Sequence, residues 1–223
     1  MLAIVIMRLR QNNKNLFKEL HHARFFRSSS HEKNFDLANK LGNQSIVTLT
    51  LQEKTLATAL DKLPFAPKVV LGFVSPALNF SSVSSNLKQL FPKETTLILS
   101  TTAGELCSMD RSNPLPSLYS SAGAGEGDNI VLMLFSPEMV SDVYVASVPL
   151  KSEDMATSNK TAAERSALIA EEVKKIRVPF KMRSDDTLGY TLIDGLSASE
   201  SFFMEAVYHV AKFPCLLIGG SAV

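Results

Sequence analysis

The sequence is short of the features that mark secreted, disulfide-bonded or membrane proteins. Only two cysteines are present, Cys107 and Cys215, and they lie far apart, each beside an apolar run. This placement predicts buried thiols, or thiols near a site, in preference to a disulfide. No apolar run approaches the ~18 residues that a membrane-spanning helix needs, and the apolar start Met1–Met7 is too short for the core of a signal peptide. We therefore expect a cytoplasmic protein without a membrane span.

An excess of charge of one sign is also missing. The 223 residues carry a formal net charge of +1, so the chain as a whole has no field that would attract nucleic acid. With 45% hydrophobic and 20% charged residues, the composition is typical of a globular body with a sizeable core.

Residues 8–33 are the local exception, because seven lysines and arginines face only two glutamates there. A basic arm that touches acidic partners is one interpretation, and a poorly ordered extension or a start codon placed too early is the other. The predicted organisation is an extension over residues 1–34 and a single domain over residues 35–223.

Motifs for metal and phosphate binding are absent. There is no Walker lysine and no metal-ligand spacing of cysteine and histidine. Gly123, Gly125 and Gly127 have G-x-G-x-G spacing and precede a predicted strand, which favours a hairpin turn over the cradle of a dinucleotide.

The pattern that is present predicts an α/β protein. Three strand-like runs separated by two amphipathic helical segments follow each other with short joints, at 46–51, 52–63, 68–74, 81–91 and 95–99. This order is typical of a largely parallel sheet with right-handed crossovers. Two strand-like runs without a helix between them, 129–135 and 140–148, imply a β-hairpin region or a second sheet. An amphipathic helix is predicted further on, over Thr161–Ile176. The predicted fold is a mixed, largely parallel sheet in one domain, with helices packed on it.

The stretch Gly189–Ala222 has the clearest pattern. An apolar run ends at Asp194, a helical segment follows Ser197-Ala198-Ser199-Glu200, and a second apolar run leads to Gly219-Gly220-Ser221. We interpret it as strand, turn, helix, strand and glycine loop. Ser197 and Glu200 have the spacing of a capping box.

Small polar residues after predicted strands make the candidate ligand site. In open α/β sheets, ligands bind beyond the carboxyl ends of strands; glycines admit a ligand to the backbone, hydroxyls bind carboxylates or amides, and a carboxylate takes an ammonium group. The candidate residues are Ser100, Thr101, Thr102, Gly104, Glu105, Asp194, Gly219, Gly220 and Ser221. Ordinary turns explain the same residues equally well.

Two further chemistries stay open. His209, at the edge of the apolar face of its helix, is a surface histidine or the axial ligand of a haem. Ser100, Thr101 or Ser221 would be the nucleophile of an acyl or amide hydrolase, although no G-x-S-x-G elbow is present and an activated hydroxyl needs a base.

Five segments together resemble one family. They are VVLGFVSPAL (69–78), TTAGEL (101–106), GAGEGD with its strand (123–135), IDGLSASE (193–200) and IGGSA (218–222). Their order and spacing resemble the FIST N-terminal domain, a bacterial sensory module, from about residue 40 to the last residue.

The resemblance implies a non-enzymatic sensor. It implies a small ligand, with amino acids among the candidates, and a signalling partner such as a histidine kinase, a chemotaxis receptor or a cyclic-di-GMP enzyme. A subset of the family resembles haem proteins that sense nitric oxide and regulate a histidine kinase.

The sequence departs from the family pattern at two points. Leu99-Ser100 stands where the family usually has Gly-Cys or Gly-Ser, and the C-terminal partner domain that usually follows GGSA is not present. A truncated chain without retained activity is therefore a further interpretation.

Overall fold

The computed structural model describes residues 2–10, 24–27, 45–102, 104–107, 118–121, 129–155, 157 and 159–222. The chain divides into two compact units. The terminal unit comprises Met1–Gln11 and Ser141–Val223, and the central unit comprises Asn12–Val140.

Strands outnumber helices among the described residues. The strands are β1 (Leu2–Leu9), β2 (Arg24–Arg27), β3 (Ile46–Gln52), β4 (Val69–Val74), β5 (Thr96–Thr101), β6 (Gly104–Cys107), β7 (Leu118–Ser121), β8 (Asn129–Phe135), β9 (Val140–Val148), β10 (Thr187–Asp194) and β11 (Leu216–Ala222). The α-helices are α1 (Leu56–Leu60), α2 (Phe80–Leu90), α3 (Ala162–Lys175) and α4 (Glu200–Val210), and the 3-10 turns are Glu53–Thr55 and Gly195–Ser197.

The terminal unit is a four-stranded sheet with the order β11-β10-β1-β9. β10 and β11 are parallel, as expected for a strand-helix-strand unit, whereas β1 pairs antiparallel with β10. α3 and α4 cover one face of the sheet, and their apolar side chains form one core with Leu2, Ile4 and Ile6 of β1. Phe203, fully buried, is the largest of these side chains.

The central unit contains a five-stranded sheet with the order β2-β3-β8-β4-β5. The strand β8 lies between β3 and β4 and is antiparallel to both, while β4 and β5 are parallel. α1 and α2 pack on this sheet through a second apolar core. Val69, Val70 and Val74 of β4 are inaccessible to solvent, as expected for a strand covered on both faces.

The prediction of an α/β fold with a mixed sheet is confirmed, but the prediction of a largely parallel sheet is wrong. β3, β4 and β5 do run in the same direction, as their connections require. However, β8 inserts between β3 and β4 and makes both contacts antiparallel. The alternative of a second sheet is also confirmed, since β8 and β9 belong to different sheets.

The apolar start of the chain is part of a sheet. Within the predicted extension 1–34, Leu2–Leu9 forms β1, and Ile4, Val5 and Ile6 have no exposed surface. Nε of Arg8 donates to Asp142 at 2.8 Å, which ties β1 to β9. Residues 11–23 and 28–44 lie outside the described part, and the boundary after residue 34 stays a prediction.

Helix ends match the sequence pattern in one case and differ in another. Thr161 caps α3 and forms a capping box with Glu164. α2 begins at Phe80, one residue before the predicted helical segment 81–91, and its N-cap is Asn79, whose side chain accepts the N–H of Ser82 at 3.0 Å. None of the described helices has the length and apolarity needed to cross a bilayer.

Candidate functional site

The unit β10–α4–β11 forms an open cleft at the carboxyl ends of two parallel strands. β10 alternates between buried and less buried residues, with Thr191 and Ile193 turned to the core, and it ends at the exposed Asp194. Oδ1 of Asp194 accepts the N–H of Leu196 at 3.0 Å and starts the 3-10 turn that leads to α4.

The predicted capping box between Ser197 and Glu200 is not formed. The Ser197 hydroxyl donates to the Asp194 carbonyl at 2.5 Å, and the Ser199 hydroxyl donates to the Ser197 carbonyl at 2.8 Å. Ser199 is the N-cap of α4 without a side-chain capping bond. The 3-10 turn displaces the start of the helix, so the Glu200 carboxylate is free for another partner.

That partner comes from β11. The hydroxyl of Ser221 donates to Oε2 of Glu200 at 2.7 Å, across 21 positions of the sequence. The predicted glycine loop is in fact strand, because Gly219, Gly220 and Ser221 pair in register with Thr191, Leu192 and Ile193 of β10.

Gly219 is the residue that permits this pairing. Its φ is +142°, and a Cβ built on it would lie 2.0 Å from the carbonyl oxygen of Thr191. Any larger residue would therefore push β11 away from β10. Gly220 differs, since nothing lies within 4 Å of its Cβ position.

The resulting cleft has a volume of about 440 Å³. Its polar side chains include Asp194, Glu200 and Ser221, and Met204 supplies an apolar wall. The start of α4 also lines it, where first-turn N–H groups have no partner inside the helix and the helix dipole favours an anion. The cleft thus places the carboxylates of Asp194 and Glu200 beside the start of a helix, where the helix dipole favours an anion.

The other predicted ligand residues belong to the central unit. Ser100 and Thr101 lie in β5 itself, where the Ser100 hydroxyl donates to the Thr101 carbonyl at 2.9 Å. The N–H of Thr102 donates to the carbonyl of Val74 at 3.3 Å. These residues continue the sheet beyond the predicted strand end.

Gly104 and Glu105 open strand β6. Their backbones pair with Ser121 and Ser120 of β7 in an antiparallel ladder. The glycines at 123, 125 and 127 lie outside the described residues. The ligand-binding role of Gly104 and Glu105 and the hairpin turn at the three glycines both stay predictions.

His209 lies exposed in the last turn of α4. It follows Glu200 by nine positions on one helix, which places the two about 13 Å apart along the axis, so it cannot serve Ser221 as a base. No cluster of three or more histidine, cysteine or acidic side chains suited to a metal occurs in the described part of the chain. The haem prediction for His209 stays a prediction.

Cys215 precedes β11 as a free, half-buried thiol. Burial raises its pKa, partly offset by a hydrogen bond from the backbone of Gly189. Burial likewise raises the pKa of Tyr190 in the neighbouring strand. The thiol form of Cys215 is therefore favoured, which makes it a poor nucleophile.

Two contributors to the cleft were not predicted as ligand residues. Glu200 was assigned to the capping box, and Met204 was not singled out at all. A signal for Glu200 exists in the segment IDGLSASE, where two carboxylates flank a turn between a strand and a helix. Only the pairing of β11 with β10 shows that the Ser221 hydroxyl reaches the carboxylate of Glu200.

Comparison with known proteins identifies the family. The model of the FIST N domain family matches residues 68–223, which includes β10, α4 and β11. The strands β1 and β3 precede the matched residues. No curated protein matches the chain.

Proposed function

The chain belongs to the FIST N domain family, whose members are generally sensory, non-catalytic modules, and on this premise we propose that it binds an amino-acid-like ligand in the β10–α4–β11 cleft. The observation that carries the proposal is the meeting of Asp194, Glu200 and Ser221 around this cleft. Binding there would be relayed to a signalling protein, such as a histidine kinase, a chemotaxis receptor or a cyclic-di-GMP enzyme.

The chemistry of the cleft supports a ligand with both charges. An ammonium group is attracted by the carboxylates of Asp194 and Glu200, and the Ser221 hydroxyl orients the second of these. A ligand carboxylate is favoured at the start of α4, where the first-turn N–H groups have no partner inside the helix. Met204 offers an apolar contact to a short side chain.

The first prediction concerns ligand-dependent stability. A panel of free amino acids is added to the protein, and the melting temperature is measured; at least one should raise it, because a ligand that binds only the folded state stabilises it by mass action. The double change Asp194→Asn and Glu200→Gln keeps one acceptor oxygen at each position and removes both negative charges. We expect it to weaken binding by about tenfold or more.

The matched control is Glu153→Gln, which removes a carboxylate from an exposed position of the same unit outside the cleft. It should bind as the unaltered protein does. If no amino acid raises the melting temperature, or if the same ligand stabilises the double variant equally, the proposed site is wrong.

The hydrolase alternative now concentrates on Ser221. Its hydroxyl has a carboxylate at hydrogen-bonding distance, whereas that of Ser100 donates to a backbone carbonyl. A catalytic role requires turnover of an activated ester that Ser221→Ala abolishes. A binding role requires no turnover and a weaker ligand shift in the same variant, so one substitution separates the two.

A further inference from the structure

Among the described residues the sheet of the central unit ends at β5, and a groove lies along this open edge. The order of strands ends at β5, whose described pairing is with β4 alone. Beside this edge lies a cavity of about 470 Å³ between α2 and β5. We propose that it binds an extended segment of a partner protein, acidic at one end and apolar at the other, which adds a strand to β5.

The backbone of β5 is arranged for such an addition. The N–H of Thr96 donates to the carbonyl of Lys68 at 3.0 Å, and that of Thr102 donates to the carbonyl of Val74 at 3.3 Å. Because successive residues of a strand direct these groups to opposite sides, the even-numbered positions face β4. Leu97, Leu99 and Thr101 therefore direct their N–H groups to the open edge.

The side chains beside this edge are only partly covered. Leu97 and Leu99 lie on the same face of β5 as α2, pack against the core of the central unit and remain partly exposed. Phe80, Ser84 and Lys88 recur at every fourth position of α2 and form the opposite wall. An incoming strand would place alternate side chains between these walls, as in peptide recognition by strand addition.

The groove has a basic end and an apolar end. Lys88 and Lys93 flank the turn from α2 to the start of β5, and Phe80 and Leu99 lie toward the other end. Both lysines are exposed, and no salt bridge to either is found within the described residues. Charge complementarity therefore selects a segment with acidic side chains or a terminal carboxylate at the basic end, followed by alternating apolar residues.

The open edge strand carries none of the charges that usually protect an edge from pairing. β5 reads TLILST and contains none, although natural edge strands usually carry charges or proline that prevent unwanted pairing. Lys88 and Lys93 lie beside this edge, and their positive charges repel basic segments. The groove is thus suited to a selected partner.

The test uses two labelled peptides of about ten residues. Both alternate leucine or valine with threonine. One carries two glutamates at its N-terminal end, and the other carries them at its C-terminal end. We expect fluorescence anisotropy to show binding of at least one peptide to the full chain, weakened about tenfold or more by Lys88→Glu with Lys93→Glu. Lys54→Glu, an exposed lysine of the same unit outside the groove, should leave binding unchanged.

Amide hydrogen exchange distinguishes strand addition from other binding. The peptide should slow exchange at Leu97, Leu99 and Thr101, and leave Thr96 and Ile98 nearly unchanged because these already bond to β4. Thr101→Pro removes one edge donor outside the groove and should weaken binding while the melting temperature stays close to that of the unaltered protein. Absence of binding by both peptides, equal binding to the lysine double variant, or unchanged exchange at the odd positions would each overturn the proposal.

Discussion

Gly219 and Gly220 are adjacent in the sequence, but the fold makes different demands on them. Gly219 has positive φ, and a Cβ built on it would lie 2.0 Å from the Thr191 carbonyl oxygen, which is too close for any side chain. Gly220 faces open space. The difference arises from the pairing of β11 with β10 and has no sign in the sequence GGS.

The second prediction follows from this difference. Gly219→Ala should lower the free energy of unfolding by about 1–3 kcal/mol, since it adds backbone strain and an overlap with β10. Gly220→Ala, the matched control, should change it by no more than about 0.5 kcal/mol. Chemical denaturation of the two variants measures both values.

Equal stability of the two variants would contradict the close approach of β11 to Thr191. Gly219→Ala should also weaken binding of the amino-acid ligand, because displacement of β11 carries Ser221 away from Glu200. A destabilised variant that binds normally would place the ligand elsewhere.

At the scale of the element, α3 shows a helix whose start is legible in the sequence. The hydroxyl of Thr161 accepts the N–H of Glu164 at 3.3 Å, and the Glu164 carboxylate accepts the N–H of Thr161 at 2.7 Å. The pKa of Glu164 lies below its ordinary value of 4.5, first because of the backbone hydrogen bond from Thr161 and then because of the bond from its hydroxyl.

The third prediction is a pH dependence from this cap. A carboxylate whose pKa is lowered by folding stabilises the protein above the unfolded-state pKa, and this contribution disappears as the pH falls through the folded-state pKa. The unaltered protein should therefore exceed Glu164→Gln in melting temperature above about pH 5. The difference should shrink as the pH falls through the lowered pKa of Glu164.

Melting curves between pH 3 and 7 test this prediction. Glu153→Gln is the control, because the structure gives that exposed carboxylate no capping role. A difference that grows on acidification would mean that the charge of Glu164 destabilises the helix.

α4 shows the opposite case, in which a sequence signal was misleading. Ser197 and Glu200 have the capping-box spacing, but the intervening Ala198 adopts a left-handed conformation with φ of 49°. The chain leaves the 3-10 turn there, and Glu200 becomes the first residue of α4 instead of its third. The Ser221 hydroxyl takes the Glu200 carboxylate as its hydrogen-bond acceptor. This is a tertiary contact that the local sequence pattern does not show.

At the scale of the whole molecule, the terminal unit joins the first strand of the chain to strands from its last third. β1 lies between β9 and β10, and the ring of Phe180 stacks 5.2 Å from the Arg8 guanidinium. The core of α3 and α4 is therefore completed by residues that precede the family match.

The fourth prediction tests this organisation. Ile4→Asp places a charge in the core without a partner and should cost about 4 kcal/mol or more, seen as a large fall in melting temperature or as insoluble protein. Leu168→Asp, on a partly exposed position of α3 (41% exposed), should remain close to the unaltered protein. Similar behaviour of both variants would mean that β1 contributes little to the fold.

The sequence by itself determined the local elements and the family. Apolar periodicity, capping residues and prolines act over a few neighbours in the chain. They predict strands β3, β4, β8 and β9, the helix α3 and the parallel unit β10–α4–β11. The segments that resemble the FIST N domain also lie within short stretches of sequence. These features are predictable because the forces that produce them are local.

Only the tertiary structure decided which strands are neighbours and which polar residues meet. The insertion of β8 between β3 and β4, the entry of β1 into the terminal sheet, and the bond from Ser221 to Glu200 all join residues far apart in the chain. Several pairings would bury comparable apolar area, so periodicity does not distinguish between them. Asp194 and Ser221 line one cleft because β10 and β11 pair in parallel, and Ser100 to Thr102 belong to another unit because β5 pairs with β4.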